Sequence, residues 1–160
     1  MPLNNRPLWL ATAAAAATLA IASVLLTVWL DLQPCHLCIF QRLLFMIIAV
    51  LAMIAALTPP LVSRIAAIAV AVGAAAGAWT AAYQTWLQAQ PPGSVSCIGG
   101  ELGPVERLVE WLGQLSPSLF LATGFCEDES LVILGLSIVH WALISFVATF
   151  AMALWLVRRR

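Results

Sequence analysis

Two cysteines separated by two residues, Cys35-His36-Leu37-Cys38, stand directly after Pro34 at the head of a long apolar stretch. A disulfide across two residues closes a small, strained ring that is easily reduced and re-formed. Proline suits the first position of a helix, and the amides and dipole at a helix N-terminus stabilise a thiolate. Thiolate is the form that attacks and leaves in disulfide exchange. A static brace needs none of these features. Arg42 follows Cys38 by four residues, which puts it on the same helix face about 6 Å further along. A guanidinium inside an apolar segment costs a few kcal/mol even on the lenient insertion scale. Something should compensate it there, such as a thiolate or a reducible carbonyl compound beside Cys38. The alternative is an arginine that snorkels to the lipid headgroups. Gln41 is placed to donate or accept nearby.

Two further cysteines, Cys97 and Cys126, complete the set of four. Four allow three connectivities, and the spacing favours Cys35–Cys38 with Cys97–Cys126. Structural zinc held by Cys35, Cys38, His36 and one later cysteine is the competing reading, but the second CxxC of a zinc ribbon is missing. His36 reads as an interfacial residue rather than a base or ligand.

These residues sit in an unusual chain. Of 160 residues 63% are hydrophobic and 9% charged, where a soluble domain has roughly 45–50% and 25%. Seven arginines and seven acids cannot cover a water-facing surface of this size. Disorder is excluded by the same composition. Zero net charge and the absence of lysine exclude a basic nucleic-acid patch. The apolar surplus must face membrane lipid. Four stretches are long enough to span a bilayer, at about 8–30, 37–57, 61–87 and 135–157. They are too long and too unalternating for barrel strands. The expected fold is an all-α integral membrane protein, a four-transmembrane-helix bundle forming one domain over 1–160. The first stretch exceeds the h-region of a signal peptide and is read as a retained helix.

Sidedness follows from charge. Short connections at 31–36 and 58–60 are marked by Pro34 and Pro59-Pro60, and a long one runs over 88–134. Arg6, Arg64 and Arg158 to Arg160 fall on one side of the bundle. Asp31, Glu101, Glu106, Glu110, Glu127, Asp128 and Glu129 fall on the other, with Arg107 alone among them. The arginine-rich side is cytoplasmic, so both termini are inside and all four cysteines outside, where disulfides persist. Trp9 and Trp155 are expected at the inner interface, and Trp29, Trp86 and Trp141 at the outer one. The outer loop holds one amphipathic piece, Pro104–Leu115. It is too short to span and is expected either on the outer membrane surface or against the rest of the loop. Gly73 and Gly77 form a GxxxG in the third span, a pattern of close helix packing. His140 is expected near the outer interface, and Glu127 to Glu129 in a solvated turn. Pro91-Pro92-Gly93 and Gly99-Gly100 are candidate hinges.

A membrane-embedded dithiol needs an electron partner. No haem motif, cluster motif or nucleotide fingerprint is visible. A quinone needs no dedicated motif, diffuses in the bilayer, and accepts the two electrons and two protons that a dithiol yields.

Over nearly its whole length the chain resembles the disulfide bond formation protein B (DsbB) family of bacterial inner membranes. Cys35-His-Leu-Cys-Ile-Phe-Gln-Arg42 is similar to the family's CxxCxx[QE]R signature. Trp86-Leu-Gln88, Phe120-Leu-Ala-Thr-Gly-Phe-Cys126 and Leu134-Gly-Leu136 with Trp141 are similar to family segments. The resemblance implies a quinone-dependent oxidase, using ubiquinone or menaquinone, that reoxidises a periplasmic thioredoxin-fold dithiol oxidase of the DsbA kind. Carried onto matching positions, Cys97 would form the mixed disulfide with that partner, Cys126 would exchange with Cys35, and Cys38 would pass electrons to the quinone. Arg42 would support the quinone and the Cys38 thiolate, with Gln88 nearby. Gln84 stands where many members have a histidine, close to the same site. Phe125 stands where an acidic residue commonly precedes the loop cysteine.

Two rival readings remain. A non-enzymatic four-span membrane protein with two structural disulfides explains the cysteine pairs but not Arg42 beneath them. A vitamin K epoxide reductase-like enzyme also couples a CxxC, loop cysteines and a quinone, but its CxxC typically comes late in the chain.

Overall fold

The computed structural model describes residues 5–91, 103–126 and 131–158. Four of its helices are long and apolar enough to cross a membrane: α1 Arg6–Trp29, α2 His36–Leu57, α3 Pro60–Gln88 and, last in the chain, α6 Ile138–Arg158. Two shorter helices, α4 Pro104–Leu115 and α5 Pro117–Phe120, lie in the long connection, and a two-stranded hairpin, β1 Val132–Ile133 with β2 Leu136–Ser137, precedes α6.

Proline marks the helix starts. Pro7 lies in the first turn of α1, Pro59 caps α3 and Pro104 opens α4, positions where the missing N–H has no intrahelical partner to lose. The turn between α2 and α3 is closed by the Ser63 hydroxyl, which donates to the Ala55 carbonyl.

The bundle is built from three broad interfaces, α1 on α2, α2 on α3 and α3 on α6; the α1 and α6 sides share none of comparable size. Its core is made of small residues with a few large ones. On α1 the buried stripe is Trp9, Ala13, Ala16 and Ala20. Trp9 is therefore not at the lipid interface as expected from its position; it is fully buried. In a helix that is apolar all round, lipid and core attract the indole alike. Trp29, Trp86, Trp141 and Trp155 are all exposed.

The glycine pair on α3 divides its work. A Cβ at Gly77 would fall onto the Phe146 ring of α6, and that ring stacks on Phe45 of α2 with centroids 4.1 Å apart and planes 9° from parallel. Gly77 thus lets three helices close around one aromatic pair. A Cβ at Gly73 would meet only Ile48 at 3.6 Å, an ordinary contact. Gly77→Leu should therefore lose about 1–3 kcal/mol by overpacking, seen as a lowered thermal midpoint in detergent, while Gly73→Ala is tolerated. Equal midpoints would remove Gly77 from this role.

The apolar run before α6 departs from the expected span. The fourth helix starts at Ile138 rather than near residue 135. Leu134 (φ 54°) and Gly135 (φ 81°) both take left-handed backbone, which folds Val132 against Ser137 and Ile133 against Leu136 in antiparallel register. Two successive positive φ values make the tight turn whose twist suits a hairpin.

In the long connection between α3 and α6, α4 packs against α2 and against α5. Val109 and Gly113 are its buried residues, and a Cβ at Gly113 would sit 3.1 Å from the Phe120 carbonyl oxygen. Leu108, Trp111 and Leu115 form an exposed apolar stripe on another side of the same helix.

Candidate active site

The chain enters α2 through Cys35, whose extended backbone (φ −83°, ψ 170°) makes it the N-cap. Cys38 then lies in the first helical turn. The two sulfurs are thiols 3.3 Å apart, with Cys35 donating to Cys38. Cys35 is buried, and the Cys126 sulfur hydrogen-bonds with it. That bond to Cys126, then the one to Cys38, then burial push the Cys35 thiol up from its ordinary range. Cys126 is itself buried and packs with Leu37, Leu87, Cys38 and Val105. Three sulfurs therefore meet at the N-terminal end of α2, contributed by two segments 88 residues apart in the chain (Cys38 to Cys126).

Gln84 of α3 bridges the pair. Its amide nitrogen donates to Cys38 at 3.0 Å and to Cys35 at 3.4 Å. Its carbonyl accepts from the Gln41 amide at 2.9 Å, which fixes the orientation of the Gln84 amide. Both glutamines are buried. A donor aimed at sulfur favours the charged form of that sulfur, and a glutamine does so without titrating.

Arg42 is 3% exposed, so it does not snorkel. Its Nε donates to the Ser23 hydroxyl at 2.9 Å. One terminal nitrogen donates to the Ser23 carbonyl at 3.2 Å and the Thr27 hydroxyl at 2.6 Å, and the other to the Leu119 carbonyl at 2.7 Å. Its compensation comes from neutral oxygens of α1 and α5 rather than from a carboxylate. A guanidinium carries five N–H donors. The second N–H on the Leu119-bonded nitrogen has no acceptor among the described residues.

Beside Arg42 is a half-open cavity of about 310 Å³, within the range of small-molecule sites. Its floor is Cys38, Gln41, Arg42 and Phe45 of α2. Leu19, Ser23 and Leu26 of α1 form one wall, and Val139, Trp141 and Ala142 of α6 another. It lies on the side where α1 and α6 share no broad interface. The hairpin closes one edge with Ile133, whose carbonyl accepts from the Trp141 indole at 3.1 Å. Cys38 lines this cavity while Cys35 and Cys126 do not, so the sulfurs form a line running Cys126, Cys35, Cys38, cavity.

The other expected site residues fall elsewhere. Gln88 does not line the cavity; its side-chain oxygen accepts from Ser137 at 3.3 Å, and Ser137 is 2.7 Å from Nδ1 of His140. Cys97, Gly93, Gly99, Gly100 and Glu127 to Glu129 lie outside the described residues. Ser23, Thr27 and the Leu119 carbonyl were not anticipated. Ser23 and Thr27 lie four residues apart on one face of α1, but Thr12 and Thr18 also carry hydroxyls in the same helix, so the sequence does not single the pair out.

The family model described as Disulfide bond formation protein DsbB matches residues 5–156. The chain belongs to the DsbB family. Among curated relatives, the disulfide bond formation protein B of Dechloromonas aromatica (strain RCB) is 40% identical over 131 residues, covering 82% of this chain and 79% of its own. That of Azoarcus sp. (strain BH72) is 36% identical over 164 aligned residues, 98% and 95% of the two chains. That of Herminiimonas arsenicoxydans is 34% identical over 146, covering 90% and 89%. The chain is thus a DsbB-family membrane protein of disulfide bond formation.

Proposed function

We propose that the protein reoxidises a periplasmic thioredoxin-fold dithiol oxidase of the DsbA kind and delivers the electrons to a membrane quinone, ubiquinone or menaquinone. The observation that carries this reading is the linear order of sulfurs ending at an apolar cavity floored by Arg42. In the oxidised protein the disulfides are Cys35–Cys38 and Cys97–Cys126. A partner thiolate attacks Cys97, forming the mixed disulfide and releasing Cys126 with the electron pair. Cys126 attacks Cys35; the Cys35–Cys126 bond forms, the Cys35–Cys38 bond breaks, and Cys38 leaves as the thiolate. The second partner thiol resolves the mixed disulfide and frees Cys97. Cys97 then attacks Cys126: Cys97–Cys126 re-forms, Cys35–Cys126 breaks, and Cys35 is released beside Cys38. That dithiol would re-form its disulfide as it gives up two electrons and two protons. In sum, one dithiol becomes a disulfide and two electrons and two protons pass to the quinone.

The residues present fit such a co-substrate. The cavity is apolar, as a lipid-soluble ring requires, and Arg42 lines it with one N–H that has no acceptor among the described residues. A quinone supplies a two-electron acceptor there. Gln84 and the helix N-terminus hold the charge on Cys38, and Gln41 holds Gln84. DsbA is a strong oxidant, near −120 mV, so its reoxidation needs an acceptor of higher potential, with about 1.4 kcal/mol gained per 30 mV. A quinone pool meets that need and a glutathione buffer does not. The arginine asymmetry supports an inner-membrane protein with both termini cytoplasmic and the thiol cluster facing the periplasm.

The test is purified protein in detergent with quinone and a reduced thioredoxin-fold oxidase. The quinone absorbance should fall by one equivalent per partner disulfide formed. A partner that stays reduced, with Cys35–Cys38 oxidised whatever the quinone supply, would leave the braced scaffold.

A further inference from the structure

Cys126 reaches Cys35 because two stretches of backbone touch just beside them. The Thr123 and Gly124 amides both donate to the Pro34 carbonyl, at 3.0 and 3.2 Å. Pro34 immediately precedes Cys35, and Gly124 is two residues from Cys126. At the crossing, a Cβ on Gly124 would land on the Gln33 carbonyl oxygen, with the Gln33 carbonyl carbon at 2.9 Å and its Cβ at 3.3 Å. The obstacle is main chain, which no rotamer change can move. Only a residue without a side chain lets the two strands of chain come this close.

We propose that Gly124 is a positioning residue for the exchange step: its bare Cα allows residues 123–124 to latch onto Pro34, and the latch holds the Cys126 sulfur against Cys35. The inference rests on the exchange order given under Proposed function. It adds that the reach of Cys126 is set at the Gly124–Gln33 crossing rather than by the sulfurs. Exchange moves no net electrons: the Cys126–Cys35 bond forms, Cys35–Cys38 breaks, and the pair stays on Cys38. The step is thus governed by geometry, and a displacement of about 1 Å can slow such a step about 10²-fold. The Cys38–cavity half of the site shares no residue with the crossing, and its reaction with quinone is untouched.

Two measurements separate the halves. In a Cys38→Ser/Cys97→Ser background only Cys35 and Cys126 remain, and mild oxidation forms their disulfide. Adding Gly124→Ala should slow that bond formation about 10²-fold. In the otherwise unaltered chain, Gly124→Ala protein is fully reduced, freed of reductant and mixed with ubiquinone. One equivalent of quinol should appear at the unsubstituted rate, a reaction that a merely misfolded protein would lose. Unslowed trapping of Cys35–Cys126 in Gly124→Ala overturns the positioning role. No quinol from the unsubstituted protein either would instead overturn the quinone reading. If Gly124→Ala loses both reactions, the decision passes to Thr123→Pro, which deletes the 3.0 Å bond and sets its ring Cδ against the Pro34 oxygen rather than the Gln33 carbonyl. Slowed trapping there sustains the latch, and unslowed trapping overturns it.

Discussion

Cys38→Ser, and equally Cys35→Ser, will reduce quinone-linked oxidation of a thioredoxin-fold dithiol to background while the protein still inserts and folds. Oxygen replaces sulfur with little change in volume, and the Gln84 amide keeps an acceptor at 3.0 Å in place of the Cys38 sulfur. Stability is therefore nearly unchanged. What disappears is the only chemistry the site performs, since a serine hydroxyl neither forms a disulfide nor leaves as a stable anion at neutral pH. The two variants differ in what accumulates. Cys38→Ser retains the neighbours Cys35 and Cys126 and should collect the disulfide between them. Cys35→Ser cannot. Non-reducing peptide mapping distinguishes the two, and wild-type turnover in either variant would sink the sulfur line as the route of electrons.

Arg42→Ala will raise the apparent quinone KM about 10- to 100-fold, which corresponds to about 1.5–3 kcal/mol for a charged hydrogen bond. It will leave membrane insertion intact. The guanidinium is held by Ser23, Thr27 and the Leu119 carbonyl, so its position over the cavity floor is fixed before any ligand arrives. Removing it strands little, because Thr27 already donates to the Ser23 carbonyl within α1. Arg42→Lys should recover only part of the loss, since one ammonium cannot reach α1 and Leu119 in the fork geometry of a guanidinium. Steady-state kinetics at varied quinone checks this, and an unchanged KM would confine Arg42 to joining α1, α2 and α5.

Four long apolar stretches are legible in the sequence because bilayer thickness sets their length. The Cys35–Cys38 spacing and the position of Arg42 one turn further are legible because helix geometry is local. The orientation of Trp9 was not, since hydropathy cannot tell core from lipid when both are apolar. The hairpin at Val132–Ser137 was hidden for a related reason: a short apolar run reads alike as strand or helix, and the left-handed Leu134 carries no composition signal. Contact between Gly124 and Gln33 joins segments about ninety residues apart in the chain, and no local pattern encodes it. In the sequence Gln84 stands out only as a departure from the family pattern. Its bonds to both sulfurs became visible only once α2 and α3 were packed.

The missing seam between α1 and α6 has a kinetic consequence. A ligand entering through that side arrives by two-dimensional diffusion within a leaflet, and its effective concentration is a mole fraction among amphiphiles rather than a bulk molarity. Diluting a fixed amount of protein and quinone with extra detergent or phospholipid should slow turnover, although neither reactant's total amount has changed. Dilution with buffer alone should not.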